Sequence, residues 1–198
     1  SFLMRRYDGD MRDNDEISTF SRAVAFMERN FTEKTTVEEI AGIAKQAGAK
    51  VPFMRSADAA NDYATTTDVI GEVLKQYKEI GLEFEYACCI YPTAPFVTKE
   101  LLLKAKDLVE NEGADSCFPV IQFSFPPQRG MIIKEGIAKY KYPEYQFVRS
   151  QDLEGMYHDS GQFYYFNANK FETTGKMLGD IIKPIVISEM EAQDIDNE

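Results

Sequence analysis

Close to its C-terminal end the chain carries Asp194-Ile195-Asp196, two carboxylates separated by one apolar residue. In an extended segment residues i and i+2 point the same way, so both carboxylates can face one metal while Ile195 turns toward a core. Carboxylates hold Mg²⁺ and Mg²⁺ holds phosphate oxygens, which is how an acidic protein can handle phosphates. Asp194 and Asp196 are therefore the candidate metal ligands and the candidate catalytic pair, set against the simpler reading of a solvated acidic segment. Arg149-Ser150-Gln151-Asp152-Leu153 is a second polar cluster, placed among aromatic residues. An arginine there can clamp a carboxylate or phosphate through two parallel hydrogen bonds. An ordinary ion pair with Asp152 or Glu154 is the plainer alternative. The one histidine, His158, would have to serve as the base of any Ser/His/Asp or Cys/His hydrolase, and its neighbour Asp159 is too close in sequence to orient it in the usual way. A surface or supporting role is expected for it. Cys88 and Cys89 lie in an apolar run, where cysteine behaves as a small hydrophobe. Neither GxGxxG nor GxxxxGK[ST] occurs, so the two common backbone cradles for phosphate are missing.

Composition narrows the partners further. Among 198 residues, 22 Lys and Arg face 33 Asp and Glu, a formal net charge of −11. Binding to nucleic acid through phosphate neutralisation needs the opposite surplus, so no nucleic-acid partner is expected. Hydrophobic residues at 44% supply enough apolar mass for a core, and one domain over 1–198 is the default at this length. No apolar run approaches the ~20 residues that span a bilayer, and no basic stretch with an apolar core opens the chain. Three cysteines, two of them adjacent and none in a CxxC pair, offer neither a disulfide framework nor a zinc site. A cytoplasmic protein without a membrane partner is the expectation.

These residues must be positioned by regular elements. Ile17, Phe20, Val24 and Met27 have helical spacing over 15–29, and Thr36-Val37-Glu38-Glu39 has the form of a capping box that opens a helix ending near Gly48. The pattern then predicts a short strand at 51–53, a helix over 65–80 stopped by Gly81, and a strand over 84–91. That strand is continuously apolar at Ala87-Cys88-Cys89-Ile90, as in a strand covered on both faces in a parallel sheet, and Pro92-Thr93-Ala94-Pro95 breaks it. Thr98 can cap a helix to about Asn111. Further strands are expected at 116–122, 131–134, 162–166 and 185–188. Alternation of strand and helix predicts an α/β layer architecture with a mostly parallel sheet flanked by helices, whose ligands sit beyond the carboxyl ends of the strands, at the loop after Tyr91. Residues 123–157 differ, with Pro126, Pro127, Pro143 and many aromatics but little helical period, and read as an inserted arm or oligomer contact.

Taken together, several segments are more specific than any one. Val51-Pro52-Phe53-Met54-Arg55, Asp62 with 65–68, Cys88-Cys89-Ile90-Tyr91-Pro92-Thr93-Ala94-Pro95-Phe96, Arg149-Ser150-Gln151-Asp152-Leu153, Asp159-Ser160-Gly161-Gln162-Phe163-Tyr164 and Gln193-Asp194-Ile195-Asp196 follow one another in the order seen in the acylneuraminate cytidylyltransferases, the CMP-sialic acid synthetases. Over 40–198 the chain resembles that family, most of all its branch that activates pseudaminic acid. The resemblance implies an enzyme joining CTP to a nine-carbon 2-keto sugar acid, with release of pyrophosphate. It implies a Rossmann-like nucleotidyltransferase fold whose 123–157 arm swaps across a homodimer. By motif it implies that Arg55 and Thr66 contact the nucleotide, that Asp194 and Asp196 hold Mg²⁺, and that Arg149 and Gln151 lie toward the sugar acid. Tyr91 stands where the sialic acid enzymes usually carry Gln before Pro-Thr. Loss of that amide favours pseudaminic acid over N-acetylneuraminic acid.

The family opens with a strand and a loop rich in Gly, Arg, Ser and Lys that embraces the triphosphate, and residues 1–36 contain neither that loop nor the strand due before Glu38. Either the natural molecule has segments that this chain lacks, which is the expectation, or the protein is a shortened and catalytically inactive dimeric relative. A metal-dependent nucleotide-sugar glycosyltransferase using Asp194 and Asp196 is the alternative reaction.

Overall fold

Successive side chains of a strand point to opposite faces, and the two most apolar segments of this chain fill both of theirs. The computed structural model describes residues 2–5, 37–46, 49–54, 56, 64–91 and 93–192. Its elements run β1 (Phe2–Arg5), α1 (Val37–Gln46), α2 (Thr66–Glu79), β2 (Tyr86–Ile90), α3 (Lys99–Glu110), β3 (Ser116–Cys117), β4 (Pro119–Gln122), β5 (Met131–Lys134), β6 (Ile137–Tyr140), β7 (Tyr157–Asp159), β8 (Phe163–Asn167), α4 (Ala168–Thr174) and β9 (Ile185–Ile187). Cys88 and Ile90 of β2, with Phe163 and Tyr165 of β8, join Leu102, Ala105 and Val109 of α3 in one buried cluster. Ala87, Cys89, Tyr164 and Phe166 turn the other way, against Ile70 and Leu74 of α2 and Phe171 of α4. Helices therefore cover the sheet on both sides. Each fully buried Leu, Ile or Phe contributes about 1.5–3 kcal/mol relative to leaving it in water.

The helices begin and end where side chains can satisfy their loose backbone groups. Thr65 caps α2: its hydroxyl accepts from the Asp68 amide at 3.2 Å while the Asp68 carboxylate accepts from the Thr65 amide at 2.9 Å. The Thr98 hydroxyl accepts from the Leu101 amide at the start of α3, and Asn111 closes the far end on Asp107. Phe53 is not in a strand, as 51–53 was expected to be. It lies on irregular backbone with its ring 4.8 Å from that of Tyr77, beside Val69 and Val73. The expected helix over 15–29 and the Thr36 cap lie outside the described residues.

The mixed α/β architecture stands, but the sheet is not the mostly parallel one expected from the alternation. The main sheet has the order β1-β2-β8-β3, and each of its neighbouring pairs is antiparallel. Since β2 and β3 both oppose β8, they run in the same direction, and α3 joins them as a crossover unit requires. The crossover read from the sequence is present; β8, arriving after residues 123–157, inserts between its two strands. An unbroken apolar run reports burial on both faces and says nothing about the direction of the neighbours. A second sheet has the order β7-β4-β9. Among the described residues, parallel pairing is confined to β4 with β9 and the adjoining bridge between Ser116 and Ile182. The predicted strand over 116–122 is divided at Phe118, where the chain passes from the first sheet to the second.

Most of residues 123–157 stands out in solvent. β5 and β6 form a two-stranded hairpin joined by Glu135 and Gly136, both with positive φ (51° and 78°), the combination that matches hairpin twist. Phe125 is 86% exposed, Ile133 72% and Phe147 90%.

Asp115, at the start of β3, ties the segment after α4 to the sheet. One carboxylate oxygen accepts from the amides of Asp180 (2.9 Å) and Ile181 (3.0 Å), and the other from the Lys170 ammonium. Gly179 passes so close, at φ +66°, that a Cβ there would stand 2.4 Å from the Asp115 Cβ. The Lys170 ammonium, followed by the Ile181 amide, holds the buried Asp115 carboxyl below its ordinary 3.8. A carboxylate with a lowered folded pKa contributes stability that is present above the unfolded value and is lost as the pH falls through the folded one. Thermal unfolding measured against pH is thus expected to show wild type ahead of Asp115→Asn by a margin that is full above about pH 5 and shrinks steadily below it. A margin unchanged down to about pH 2 would assign the loss to packing rather than to the charge.

Candidate functional site

Beyond the last residue of β2 the chain turns, the Tyr91 amide donating to the Gln162 carbonyl at 2.9 Å and the Ala94 amide to the Tyr91 carbonyl at 3.2 Å. The tyrosine side chain meets the first turn of α2, where its hydroxyl lies 2.8 Å from the Thr66 hydroxyl oxygen. Two of the residues singled out from the sequence are thereby in direct contact, although 25 positions separate them. The Tyr91 ring also packs edge-on to Tyr164, with centroids 5.5 Å apart at 64°. The Tyr164 hydroxyl donates to Asp159 at 2.6 Å, and the other Asp159 oxygen accepts from the Gly161 amide at 2.8 Å. Burial, then the hydrogen bond to Asp159 and its charge, raise the Tyr164 hydroxyl far above the usual phenol range. It remains a proton donor at any physiological pH.

The turn from Asp159 to Gln162 also brings buried polar groups to this end of the sheet. Gln162 is fully buried and donates its side-chain amide to the Glu191 carbonyl at 2.6 Å, so that it links the head of β8 to the turn Glu189–Glu191 after β9. The Ser160 hydroxyl and the Gln162 side-chain oxygen are buried without a hydrogen-bond partner. Orphan polar atoms of that kind are costly in a dry interior and are usually completed by water or a ligand. Asp159, Ser160, Gln162 and Tyr164 received no individual role from sequence reasoning. The available signal was the polar Asp-Ser-Gly-Gln stretch directly ahead of an apolar strand.

Arg149 and Gln151 are not hydrogen-bonded to this cluster within the chain. Arg149 forms the plainer ion pair, its guanidinium donating to Asp152 at 2.8 Å with the arginine side chain 73% exposed. Gln151 is exposed on the same turn, Ser150–Asp152. Arg55, Asp194 and Asp196 lie outside the described residues. Among the described residues no group of three or more His, Cys, Asp and Glu side chains could hold a metal ion, and no helix is long and apolar enough to cross a membrane. His158 is exposed, with Nδ1 2.8 Å from the Asp159 carbonyl and its ring against Phe123. It has no nucleophile beside it among these contacts.

A family model described as cytidylyltransferase matches residues 27–180. The chain belongs to the cytidylyltransferase family, on the side of it that holds the CMP-nonulosonic acid synthases. It is 33% identical over 129 residues to the pseudaminic acid cytidylyltransferase of Campylobacter jejuni, an alignment covering 65% of this chain and 56% of the relative. It is 29% identical over 170 residues to the Helicobacter pylori protein named pseudaminic acid cytidylyltransferase and UDP-2,4-diacetamido-2,4,6-trideoxy-beta-L-altropyranose hydrolase, covering 85% of this chain and 32% of that one. A third relative, the CMP-N,N'-diacetyllegionaminic acid synthase of Legionella pneumophila, is 27% identical over 172 residues, with 82% of this chain and 70% of the relative aligned. The chain spans little more than half the length of the Campylobacter relative it matches.

The cysteines behave as the apolar reading requires. Burial lifts the Cys88 thiol well above its ordinary value, Cys89 to about 11 and Cys117 to about 12. The thiolate is the reactive form, so all three should be inert while the fold is intact. A disulfide reagent at pH 8 is expected to titrate none of Cys88, Cys89 and Cys117 quickly in the native protein and all three after denaturation; a fast native thiol would show that one of these positions opens to solvent.

Proposed function

We propose that the protein transfers a cytidylyl group from CTP to a nine-carbon 2-keto sugar acid, pseudaminic acid in preference to sialic acid. The observation that carries this reading is the contact between Thr66 and Tyr91, which joins a motif residue assigned to the nucleotide with one assigned to the sugar. Family membership and the names of the relatives support it. The anomeric hydroxyl oxygen of the sugar acid forms a bond to the α-phosphorus and releases its proton to solvent, the bond from that phosphorus to the bridging oxygen breaks, and pyrophosphate leaves with the electron pair. Positioning does most of the work in such a transfer, and no nucleophilic side chain is needed.

In this reading Arg55 and Thr66 contact the nucleotide, and Tyr91, Arg149 and Gln151 contact the sugar acid. The ion pair of Arg149 with Asp152 is exposed and therefore worth only about 0.2–1 kcal/mol, little enough for a substrate carboxylate to displace. Asp194 and Asp196 form an all-oxygen donor set that suits a hard cation such as Mg²⁺. When bound there, the ion would neutralise charge on the phosphate oxygens. The glycosyltransferase alternative rests on those two residues alone, and no described contact favours it. A cytoplasmic setting accords with three free cysteines.

The reading is tested by incubating the full-length protein with CTP, Mg²⁺ and pseudaminic acid. A CMP-sugar and pyrophosphate are expected, and Asp196→Ala should lower turnover by about 10²–10³-fold, the scale of one lost stabiliser of transition-state charge. Transfer from a nucleotide sugar without any CMP-sugar would support the glycosyltransferase instead, and no turnover of either kind would point to the inactive relative.

A homodimer built through residues 123–157 belongs to the same proposal, supported by the exposed apolar side chains of that segment. Sedimentation velocity is expected to show a dimer for wild type and a monomer for Ile133→Asp, a charge on the exposed hairpin that leaves the core untouched. An unchanged dimer would move the interface elsewhere.

A further inference from the structure

We propose that Tyr164, held by Asp159, is a positioning residue for Tyr91 and in that way sets the site's choice of sugar acid. The inference rests on the cytidylyltransferase reading and goes beyond it, since that reading gives neither Tyr164 nor Asp159 a part. Four side chains from three stretches of chain stand in sequence: Thr66 from the first turn of α2, Tyr91 after β2, Tyr164 within β8, and Asp159 at the end of β7. The contacts along them are 2.8 Å between the Thr66 and Tyr91 hydroxyls, 5.5 Å between the two tyrosine ring centroids, and 2.6 Å from the Tyr164 hydroxyl to Asp159.

Each link limits the next. Asp159 accepts from the Gly161 amide with one oxygen and from Tyr164 with the other, so its carboxylate plane is fixed from two directions. Tyr164 is 8% exposed and is pinned through its own strand pairing with Cys89 and by the Phe118 ring, whose centroid lies 5.5 Å away. Because Cys89 is two residues before Tyr91, Tyr164 forms the wall on which the Tyr91 ring leans after the chain leaves the strand. Tyr91 is only half-buried, so its accessible part faces toward solvent or ligand while its orientation is set from behind. A phenol whose hydroxyl already bonds to Thr66 offers a substrate its ring and a single shared hydroxyl, whereas a primary amide offers two N–H donors and an acceptor. Selection among sugar acids then depends on the angle of that ring, and a site that holds a polar group in a fixed direction discriminates more sharply than an apolar wall.

The test compares Tyr91→Ala, Tyr164→Phe, the double variant and Asp159→Asn in the full-length protein, with pseudaminic acid, N-acetylneuraminic acid and CTP varied in turn. Tyr164→Phe is expected to raise KM for the sugar acid three- to tenfold while kcat and KM for CTP stay within about twofold, and to narrow the preference between the two sugar acids. Asp159→Asn, whose single side-chain oxygen can accept from Tyr164 or from the Gly161 amide but not from both, should raise KM for the sugar acid in the same direction as Tyr164→Phe. The double variant should be no worse than Tyr91→Ala alone, because with the ring removed Tyr164 has nothing left to orient. A KM for sugar acid unchanged in Tyr164→Phe, or additive effects in the double variant, would overturn the inference. If wild type makes no CMP-sugar, the underlying function fails instead, and the positioning of Tyr91 is then decided by thermal unfolding of the same variants. A midpoint shift in the double variant smaller than the sum of the single shifts upholds it, and additive shifts overturn it.

Discussion

β8 is held on four sides. Its edges are hydrogen-bonded to β2 and β3, and its faces are buried alternately against α3 and against α2 with α4. Phe163 and Phe166 are almost completely inaccessible and lie on opposite faces. Because side chains alternate with a period of two, a slip of one residue in this strand would send Phe163 and Tyr165 to the wrong layer and expel Tyr164 from the site end. Register here is therefore dictated by the packing of three helices at once.

The candidate site inherits its order from that register. Gln162 and Asp159 precede the strand, Tyr164 is inside it, and the Tyr91 amide is fixed by the Gln162 carbonyl. The side chains brought together are hydroxyls, an amide and a carboxylate, a set suited to orienting a polyhydroxylated molecule more than to carrying charge. Arg149 stands apart from them in this chain, on the exposed 123–157 segment. In the proposed reading the work is divided between a seat of hydroxyls, an amide and one carboxylate at the strand ends of the main sheet and a cation on a part of the molecule whose apolar surface is exposed.

Where burial pattern determines structure, the sequence could be read closely. α2, β2 and α3 lie within two residues of their expected limits, because the helices combine a periodic apolar face with a threonine cap and the strand is an unbroken apolar run ended by a sharp breaker. Strand direction was not legible, since an apolar run looks the same beside parallel and antiparallel neighbours. α4 was missed because it is seven residues long and buries only Ala168 and Phe171, too little for a period to show. Thr66 and Tyr91 were each singled out through motif order, though not their contact, whereas Tyr164 and Asp159 passed unassigned because a strand tyrosine looks like core until its hydroxyl partner is seen. Likewise the Arg149 pair with Asp152 follows from simple adjacency at i and i+3.

The insertion of β8 between β2 and β3 also governs how the chain can be made. Ile90 must pair with Phe163, so a loop of about 70 residues has to close before the middle of the main sheet exists. During synthesis β2, α3 and β3 emerge first, with a gap one strand wide between their edges, and residues 123–157 follow with their exposed phenylalanines and isoleucines before β8 arrives to fill it. For that interval the nascent protein presents two unpaired strand edges together with its most adhesive surface, the combination that invites pairing with the wrong chain. Any delay in the arrival of β8 prolongs that interval.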